Sequence, residues 1–339
     1  MKLSILDQSP VSEGCTPAEA IAQTVSLARE ADRLGYHRFW VSEHHAARGL
    51  AGSSPEVLMA HLAAVTSTIR IGSGAVLLPH YSAYKVAENF RVLEALYPGR
   101  IDLGVGSAAG GGALAVRALQ ENRTGGAELY ELQIMDLLSY LYGGPDAAHR
   151  FAGLSASPQV STAPELWLLG SSRDSADLAA RLGTRFAYAR FINGDGGGKT
   201  VQSFRNSFHP SPAAAAPRAL VSVFAVCAGT SVEADRLAAS MDLSLVLLEK
   251  GHVSTGTPSV ETALDYTYTP YDRFRIEENR RRTVLGSPEE VRQQFIALME
   301  EYRCEEIMFA MPMHGLEDKL KSLRLIADAC GLSRTEGDH

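Results

Sequence analysis

The stretch FWVSEHHAARG (39–49) places a carboxylate and two imidazoles, Glu43, His44 and His45, directly after an apolar run that predicts a buried strand. A neutral imidazole can accept and donate a proton near pH 7, which suits general acid–base catalysis. Adjacent residues leaving a strand point in different directions, so one histidine can face a substrate while the other orients a neighbour. The alternative is a polar strand end with two ordinary loop histidines. A zinc site is disfavoured, because adjacent histidines lack i, i+4 spacing and no ligand cluster follows a neighbouring strand.

A second candidate is the serine-rich turn in WLLGSSRDSADLAARLG (167–183), where an apolar run leads into a predicted helix. The turn contains Gly170, Ser171, Ser172 and Ser175. Free backbone N–H groups, hydroxyls and the helix dipole converge there, which favours a phosphate monoester. The alternative is simple N-capping by Ser172 or Asp174, which needs only one of these side chains.

Two further segments combine glycines with strand ends. LGVGSAAGGG (103–112) contains a GxGxxxG pattern, in which backbone N–H groups can approach a phosphate or a ring, or which forms only a flexible loop. IGSGAVLLPH (71–80) has glycines inside a strand end, which lets a flat ligand or another backbone come close, or marks a bend at a barrel corner. RFRIEENRRR (273–282) alternates acidic and basic residues, which indicates a solvated helix face more than a phosphate contact.

These segments belong to a regular alternation of short apolar runs and longer helix-period segments. The runs predict strands at 2–7, 38–42, 69–78, 101–106, 165–170, 185–189, 219–228 and 305–312. Predicted helices follow at 17–34, 55–67, 83–97, 127–142, 173–182 and 197–208, and a further one begins after Ser287. Eight strands with helices between them predict a (β/α)8 TIM barrel, whose active site lies at the carboxyl ends of the strands.

The sequence pattern predicts one barrel domain over 1–339, with insertions after strands 4 and 7. These excursions span 107–164, which is rich in glycine and alanine, and 229–287, which contains two helix-like stretches. The formal charge of −7 provides no basic field for nucleic acid or an anionic membrane. Nowhere do 18 consecutive apolar residues occur, so a cytoplasmic location is the default expectation.

Four segments taken together resemble the bacterial luciferase-like family of flavin-dependent monooxygenases. They are RFWVSEHHAARG, IRIGSGAVLLPH, NFRVLEALYPGRIDLGVG and WLLGSSRDSADLAARLG, and the likeness extends from KLSILDQSPV to CEEIMFAMP. The resemblance implies FMN or reduced FMN at the mouth of the barrel. It would put the phosphate on Ser171, Ser172 and Ser175, and the isoalloxazine ring near Gly74 and Ala75, whose peptide bond would be cis.

The same resemblance makes His44 the catalytic histidine that manages protons near the flavin, with Glu43 and His45 as its neighbours in the pocket. Ser107 stands where relatives commonly have an arginine that meets the flavin phosphate. A serine donates a hydrogen bond without carrying charge, so the resemblance leaves this contact weaker unless Arg173 reaches the same oxygen.

The family chemistry implied is the oxidation of an aldehyde, a ketone or another small organic molecule by O₂ and reduced flavin. We expect a separate NAD(P)H:flavin reductase as the source of reduced flavin, and a homodimer through helices near 55–67 and 83–97. The two excursions are candidates for a lid. Three alternatives stay open, namely a flavin-binding protein without turnover, a dehydrogenase using the deazaflavin F420, and a metal-dependent barrel hydrolase.

Overall fold

Parallel strands close into a barrel in a computed structural model that describes residues 1–108, 110–121, 128–143, 147–252 and 255–332. Ten strands belong to the sheet within these residues. They are β1 (Lys2–Asp7), β2 (Arg38–Val41), β3 (Arg70–Ser73), β4 (Val76–Leu77), β5 (Ile101–Gly106), β6 (Glu165–Gly170), β7 (Arg185–Ala189), β8 (Ala219–Cys227), β9 (Thr283–Gly286) and β10 (Glu306–Ala310). Strand β1 pairs with both β2 and β10, and β10 also pairs with β8, which closes the circle. The predicted eight-position barrel is confirmed, with β3 and β4 together filling one position.

Helices surround the barrel. They are α1 (Pro17–Leu34), α2 (Pro55–Ala64), α3 (Ala83–Leu96), α4 (Ala113–Leu119), α5 (Glu128–Tyr142), α6 (Arg173–Leu182), α7 (Gly197–Asn206), α8 (Ser231–Glu249), α9 (Val260–Asp265), α10 (Pro270–Arg280), α11 (Pro288–Tyr302) and α12 (Leu316–Cys330). Local capping explains the best-predicted ends. Helix α1 begins with a capping box between Thr16 and Glu19 and ends at Gly35, whose φ of 82° is left-handed.

The structure corrects two parts of the strand prediction. The predicted strand 69–78 is interrupted, because a cis peptide bond joins Gly74 to Ala75 between β3 and β4, and a 3₁₀ turn (Leu78–His80) follows. Strand β9 was not predicted, since its four residues lie inside the second excursion. It pairs with Phe224–Cys227 of β8, which overlaps at Phe224 with the part of β8 that pairs with β10 and extends beyond it.

Both predicted insertions are present, after β5 and after β8, and each contains more helices or strands than expected. The segment after β5 holds α4 and α5, and the segment after β8 holds α8, α9, α10 and β9 rather than two helices. Helix α8 packs on β8, β9 and α10. This excursion is therefore attached to the carboxyl end of the barrel through an extra strand as well as through helices.

Two indoles fill the centre of the barrel. Trp40 on β2 and Trp167 on β6 are buried and meet edge to face, with ring centroids 5.6 Å apart. The backbone of β3 passes so close that a Cβ on Gly72 would lie 2.4 Å from the Trp40 ring. A glycine is needed at this position because any side chain would collide with the indole.

A network of buried ion pairs closes the amino end of the barrel. Arg38 on β2 contacts Asp102 on β5 at 2.7 Å, Glu306 on β10 at 2.6 Å and Glu165 on β6 at 3.3 Å. Arg70 on β3 also contacts Asp102, at 2.6 Å. Although burial alone would raise the pKa of Asp102, Arg38 and Arg70 hold it below its ordinary value. These pairs link strands that lie far apart in sequence.

Candidate functional site

The predicted site residues leave the barrel from neighbouring strands at its carboxyl end. Val41 of β2 pairs with Ser73 of β3, and Val105 of β5 pairs with both Val76 of β4 and Leu168 of β6. The following residues come after these pairs: Glu43, His44, His45, Gly74, Ala75, Ser107, Gly170, Ser171, Ser172 and Ser175. They form an arc along one side of the barrel mouth in the order β2, β3, β5, β6. Sequence reasoning placed all of them at this end of the barrel.

His44 has few fixed contacts for a half-buried imidazole. Its backbone N–H donates to Gly52 O at 2.9 Å. In the part of the chain that the structure describes, its single side-chain hydrogen bond joins Nε2 to Gln8 Nε2 at 3.4 Å. Burial lowers the pKa of His44 below its ordinary value of 6.5, although Glu43 opposes this. The ring is therefore neutral near pH 7 and is able to accept a proton.

Glu43 and His45 are held by the protein itself. The buried Glu43 carboxylate accepts hydrogen bonds from Leu77 N at 2.9 Å and from Tyr81 Oη at 2.6 Å. His45 Nε2 lies 2.6 Å from the same carboxylate. Burial, together with Glu43, raises the pKa of Tyr81, so the phenol stays protonated. These contacts tie the end of β2 to the segment after β4. A cofactor contact from Glu43 or His45 stays a prediction.

The cis peptide bond expected from the family resemblance is present between Gly74 and Ala75. The space beside Gly74 is taken by protein side chains, since a Cβ there would lie 2.7 Å from Leu6 Cδ1 and 3.2 Å from Trp40 Cε3. On the neighbouring strand, a Cβ on Gly106 would lie 3.4 Å from the Ala75 methyl group. The small residues of this strand end therefore accommodate the barrel core. Contact of Gly74 and Ala75 with a flavin ring stays a prediction.

The serine turn forms the N-terminus of α6. Ser172 is the N-cap, its Oγ accepts from Ser175 N at 3.2 Å, and Ser175 Oγ donates to Ser172 O at 2.8 Å. The N-capping alternative is thus realised, and it uses two of the three serines. The first-turn N–H groups of Arg173 and Asp174 have no acceptor within the helix, so they are available to an anion.

The other groups near this turn are exposed. Ser107, which follows β5 beside the end of β6, is exposed, and Ser171 O accepts from Asn193 Nδ2 at 3.1 Å. The Arg173 side chain is 76% exposed, and its Nε lies 3.5 Å from Asp177. The turn and Ser107 together present hydroxyl and N–H donors with one loosely held cation. This donor set fits a phosphate monoester.

A cavity of about 670 Å³ opens on the other side of the mouth, with His44 in its wall. Its walls are mainly apolar. Phe191, which follows β7, stacks on Phe224 of β8 with centroids 4.9 Å apart, and Leu6 of β1 lies beside them. Gln8, the hydrogen-bond partner of His44, also lines the cavity. The His44 imidazole therefore lies between the arc of predicted site residues and this apolar cavity.

The second excursion covers this cavity. Met241 and Leu245 of α8 line it, and so does Thr257 from the segment after α8. Thr257 N donates to Val11 O at 2.7 Å, and Glu13 N donates to Thr257 O at 2.8 Å. The excursion is therefore hydrogen-bonded to the loop after β1.

Sequence reasoning missed most of the cavity wall. Gln8 directly follows β1 and Phe191 is the second residue after β7, so the rule that barrel sites form at the carboxyl ends of strands would have identified them. Phe224, Met241 and Leu245 could not be found in this way, because one lies within a strand and two lie on α8.

The arginine run predicted as a solvated helix face is largely paired. Arg275 contacts Glu249 of α8 at 2.7 Å, and Arg280 contacts Asp242 of the same helix at 2.6 Å. Arg282 lies beyond the helix and lines the cavity. The run therefore fixes α10 onto α8.

The residues that the structure describes show neither a candidate metal centre nor a candidate membrane span. They contain no group of three or more His, Cys, Asp or Glu side chains that could hold a metal ion. No helix in the same residues is long and apolar enough to span a membrane.

Comparisons with known proteins agree with this arrangement. A family model for luciferase-like monooxygenases matches residues 1–304. The Bacillus subtilis (strain 168) protein YwcH is 52% identical over 97% of this chain and 99% of its own length. The N-acetyl-S-alkylcysteine monooxygenase of the same organism is 40% identical over 97% of this chain and 98% of its own. The crystal structure of apo-MsnO8 has a TM-score of 0.90 at 40% identity, covering 98% of this chain and 99% of that one.

The fold and the mouth define a TIM barrel with a neutral imidazole beside an apolar cavity. The chain belongs to the luciferase-like monooxygenase family. This membership supports an oxidoreductase of the monooxygenase type. It argues against the metal-dependent barrel hydrolase that the sequence pattern left open.

Proposed function

We propose that the protein is a flavin-dependent monooxygenase that uses reduced FMN and O₂ to oxidise a small organic molecule. The observation that carries this proposal is the position of His44. Its neutral imidazole lies between a 670 Å³ apolar cavity and an arc of hydroxyl and N–H donors on neighbouring strands. A barrel mouth that can bind an apolar molecule and a phosphate-bearing cofactor, and that carries its own proton acceptor, supports this class of reaction.

The cofactor would be held in two places. Ser107, Ser171, Ser172 and the free N–H groups at the start of α6 would bind its phosphate, and the barrel mouth near Ala75 would take its ring. Bound reduced FMN would supply the electrons for activating O₂. Because Ser107 carries no charge, we expect weaker phosphate binding than an arginine there would give.

His44 would hold or move a proton at Nε2. The neutral ring accepts a proton from a donor in the cavity and returns it later, and the 3.4 Å contact with Gln8 leaves Nε2 free to reorient. Glu43 acts at a distance by fixing the end of β2 through Leu77 N and Tyr81 Oη. The apolar walls exclude water from the same space, which strengthens these polar interactions.

The first experiment is equilibrium dialysis of the purified protein with FMN, reduced FMN and F420, followed by O₂ consumption with candidate substrates. Aldehydes and ketones come first, together with N-acetyl-S-alkylcysteines, because a 40% identical relative carries that name. We expect reduced FMN to bind, Ser172→Ala to weaken binding about tenfold, and His44→Ala to leave binding intact while abolishing turnover.

A matched control separates capping from phosphate binding. Ser82 caps α3 as Ser172 caps α6, accepting a hydrogen bond from Lys85 N. Ser82→Ala should therefore leave flavin binding unchanged. Binding of F420 in place of FMN, without O₂ uptake, would identify a deazaflavin dehydrogenase. FMN binding with no turnover on any substrate would support a non-catalytic flavin protein.

Two partners complete the proposal. We infer a separate NAD(P)H:flavin reductase, which would be tested by restoring O₂ uptake when a purified flavin reductase and NADPH replace chemically reduced FMN.

We also infer a homodimer through α2 and α3, where Val57, Val92 and Leu96 are exposed apolar side chains. Sedimentation of the wild type and of Val57→Asp tests this, since the dimer should weaken in the variant.

A further inference from the structure

The wall of the cavity is uneven in charge. Its charged side chains, within the residues that the structure describes, are Asp7, Arg48, Glu249 and Arg282. Two are acidic and two are basic, so a count of formal charges makes the wall neutral. The hydrogen bonds and ion pairs of each group change this picture, because a charge that is already paired has little left for a ligand.

Both carboxylates are already engaged. Asp7 is buried, and its Oδ2 accepts from Ser9 N at 3.1 Å and from Thr24 Oγ1 at 2.6 Å. Glu249 makes a two-point contact with Arg275, at 2.7 Å to Nε and 3.0 Å to Nη2. These two groups therefore present little free negative charge to the cavity.

The two guanidinium groups differ from each other. Arg282 donates to Ile192 O at 2.7 Å and to the Asn279 side chain. Arg48 is exposed, and nothing in residues 1–108, 110–121, 128–143, 147–252 or 255–332 forms a hydrogen bond or an ion pair with its side chain. Among these residues, Arg48 therefore contributes an unpaired cation to the lining of a cavity whose wall is mainly apolar.

The backbone that follows Arg48 is hydrogen-bonded to the loop after β1. The next residue, Gly49, accepts a hydrogen bond from Val11 N at 2.9 Å. Ala51 N donates to Ser9 O at 2.9 Å. The same loop starts at the catalytic-histidine segment, four positions before Arg48. The Arg48 side chain therefore extends into the cavity lining from a backbone segment that the loop after β1 holds in place.

We propose that Arg48 is a specificity-determining residue that binds a carboxylate of the substrate, so that the substrate class is an apolar molecule ending in a carboxylate. A guanidinium pairs with a carboxylate through two parallel hydrogen bonds, which a neutral amide cannot match. The apolar body lies against Phe191, Phe224 and Leu245, and its reacting part faces His44. This inference rests on the proposed function for what happens to the bound molecule, but binding itself requires no turnover.

The test compares two probes of equal length, octanoate and octanamide, by isothermal titration calorimetry, with and without saturating FMN. We expect octanoate to bind about tenfold more tightly than octanamide, and this preference to shrink as salt is raised. Arg48→Gln should abolish the preference and Arg48→Lys should retain part of it. Thermal unfolding of each variant verifies that it is folded.

Two control variants make the result specific to Arg48. Arg33 is an exposed arginine on α1 that pairs with Glu30, so Arg33→Gln should retain the full preference. Arg282→Gln should also retain most of it, because its guanidinium is bonded elsewhere in the protein. Equal binding of the two probes, binding of neither, or a preference that survives Arg48→Gln would overturn the proposal. None of these outcomes concerns FMN binding or O₂ uptake, so the proposed function stands or falls separately.

Discussion

The two ends of the barrel handle polar groups in opposite ways. At the amino end, Arg38 is surrounded by three carboxylates within 3.3 Å, and its Cζ lies 4.8 Å from the centre of the Trp167 ring. At the carboxyl end, the His44 imidazole makes one hydrogen bond within the described residues, at 3.4 Å, and Arg48 lines a mainly apolar cavity. The charged groups of the amino end are paired within the protein, whereas His44 and Arg48 at the carboxyl end keep hydrogen-bonding capacity for ligands.

This contrast separates stability from function along a single sheet. A buried charge that has all its partners is costly to disturb, because removing one partner leaves the others uncompensated. A group left without partners contributes little to the folded state, but it is available to a ligand. We therefore expect substitutions at the amino end to change the free energy of unfolding and those at the mouth to change binding and turnover.

The largest effect on stability is expected from Asp102→Asn. The amide keeps the shape of the side chain but leaves Arg38 and Arg70 without a shared anion, which should cost about 3–5 kcal/mol of unfolding free energy. Urea denaturation measures it. Because the pKa of folded Asp102 is lowered, its stabilisation is complete above 3.8 and is lost only as the pH falls through the lower folded value.

The surface pair between Glu278 and Arg281 provides the matched control. Glu278→Gln removes a carboxylate from an exposed pair at 2.7 Å and should cost no more than about 1 kcal/mol. A loss as small as this at Asp102 would show that the ion-pair network does not hold the amino end together.

A smaller loss is expected from Gly72→Ala in the middle of the barrel. The new methyl group would lie 2.4 Å from the Trp40 ring and 2.7 Å from Asp102 Cβ, so the core must shift, at a cost of about 1–3 kcal/mol. Thermal and urea unfolding measure this, with Gly229→Ala as a control because nothing lies within 4 Å of its Cβ position.

A double-mutant cycle assigns the cause of that loss. Trp40→Phe removes Nε1, one of the two ring atoms that the methyl group would meet at 2.4 Å, so the pair of substitutions should cost less than the sum of the two single ones. Strict additivity would mean that the indole is not what requires a glycine at position 72.

The same division explains what the sequence could predict. Strand and helix positions depend on local patterns, such as the apolar run of β5 or the Thr16, Glu19 and Gly35 caps of α1, and these were predicted well. The ion-pair network depends on contacts such as Arg38 with Glu306, 268 residues apart, which no local pattern reveals.

The mouth was predicted in part for a related reason. The EHH triplet and the serine turn directly follow strands, so the barrel rule located them. The wall formed by Met241 and Leu245 comes from an insertion whose path over the mouth depends on packing against β8 and β9. The β9 strand that helps to position it is only four residues long, which is too short for a periodicity signal.

At the start of α6, we expect a loss of about 1 kcal/mol in Ser172→Ala, because the variant loses the N-cap hydrogen bond to Ser175 N. Ser82→Ala should cost about the same, since Ser82 caps α3 in the same manner. Urea unfolding of both variants tests this equality. A much larger loss at Ser172 would show that the turn is a structural element of the barrel mouth and not a cap available to a ligand.

The smallest effect on stability is expected from His44→Gln, within about 0.5 kcal/mol at pH 7, because the imidazole has so little to lose. The effect has a definite pH dependence. The folded pKa of His44 is lowered, so the unfolded chain binds its proton first as the pH falls below 6.5, and the wild type loses stability between that value and the lower folded pKa. His44→Gln lacks this term, so the variant should gain stability relative to the wild type over that range.

In contrast to the free energy of unfolding, turnover should depend strongly on His44. In the proposed function neutral His44 accepts the proton, so the wild-type rate should fall on the acid side below 6.5, and His44→Gln should lose about 100-fold or more in kcat along with this acid limb. Rates measured from pH 5 to 8 alongside urea unfolding test both halves. A variant that loses stability but keeps the acid limb would make His44 a structural group like Arg38 at the amino end, and the contrast between the two ends would no longer hold.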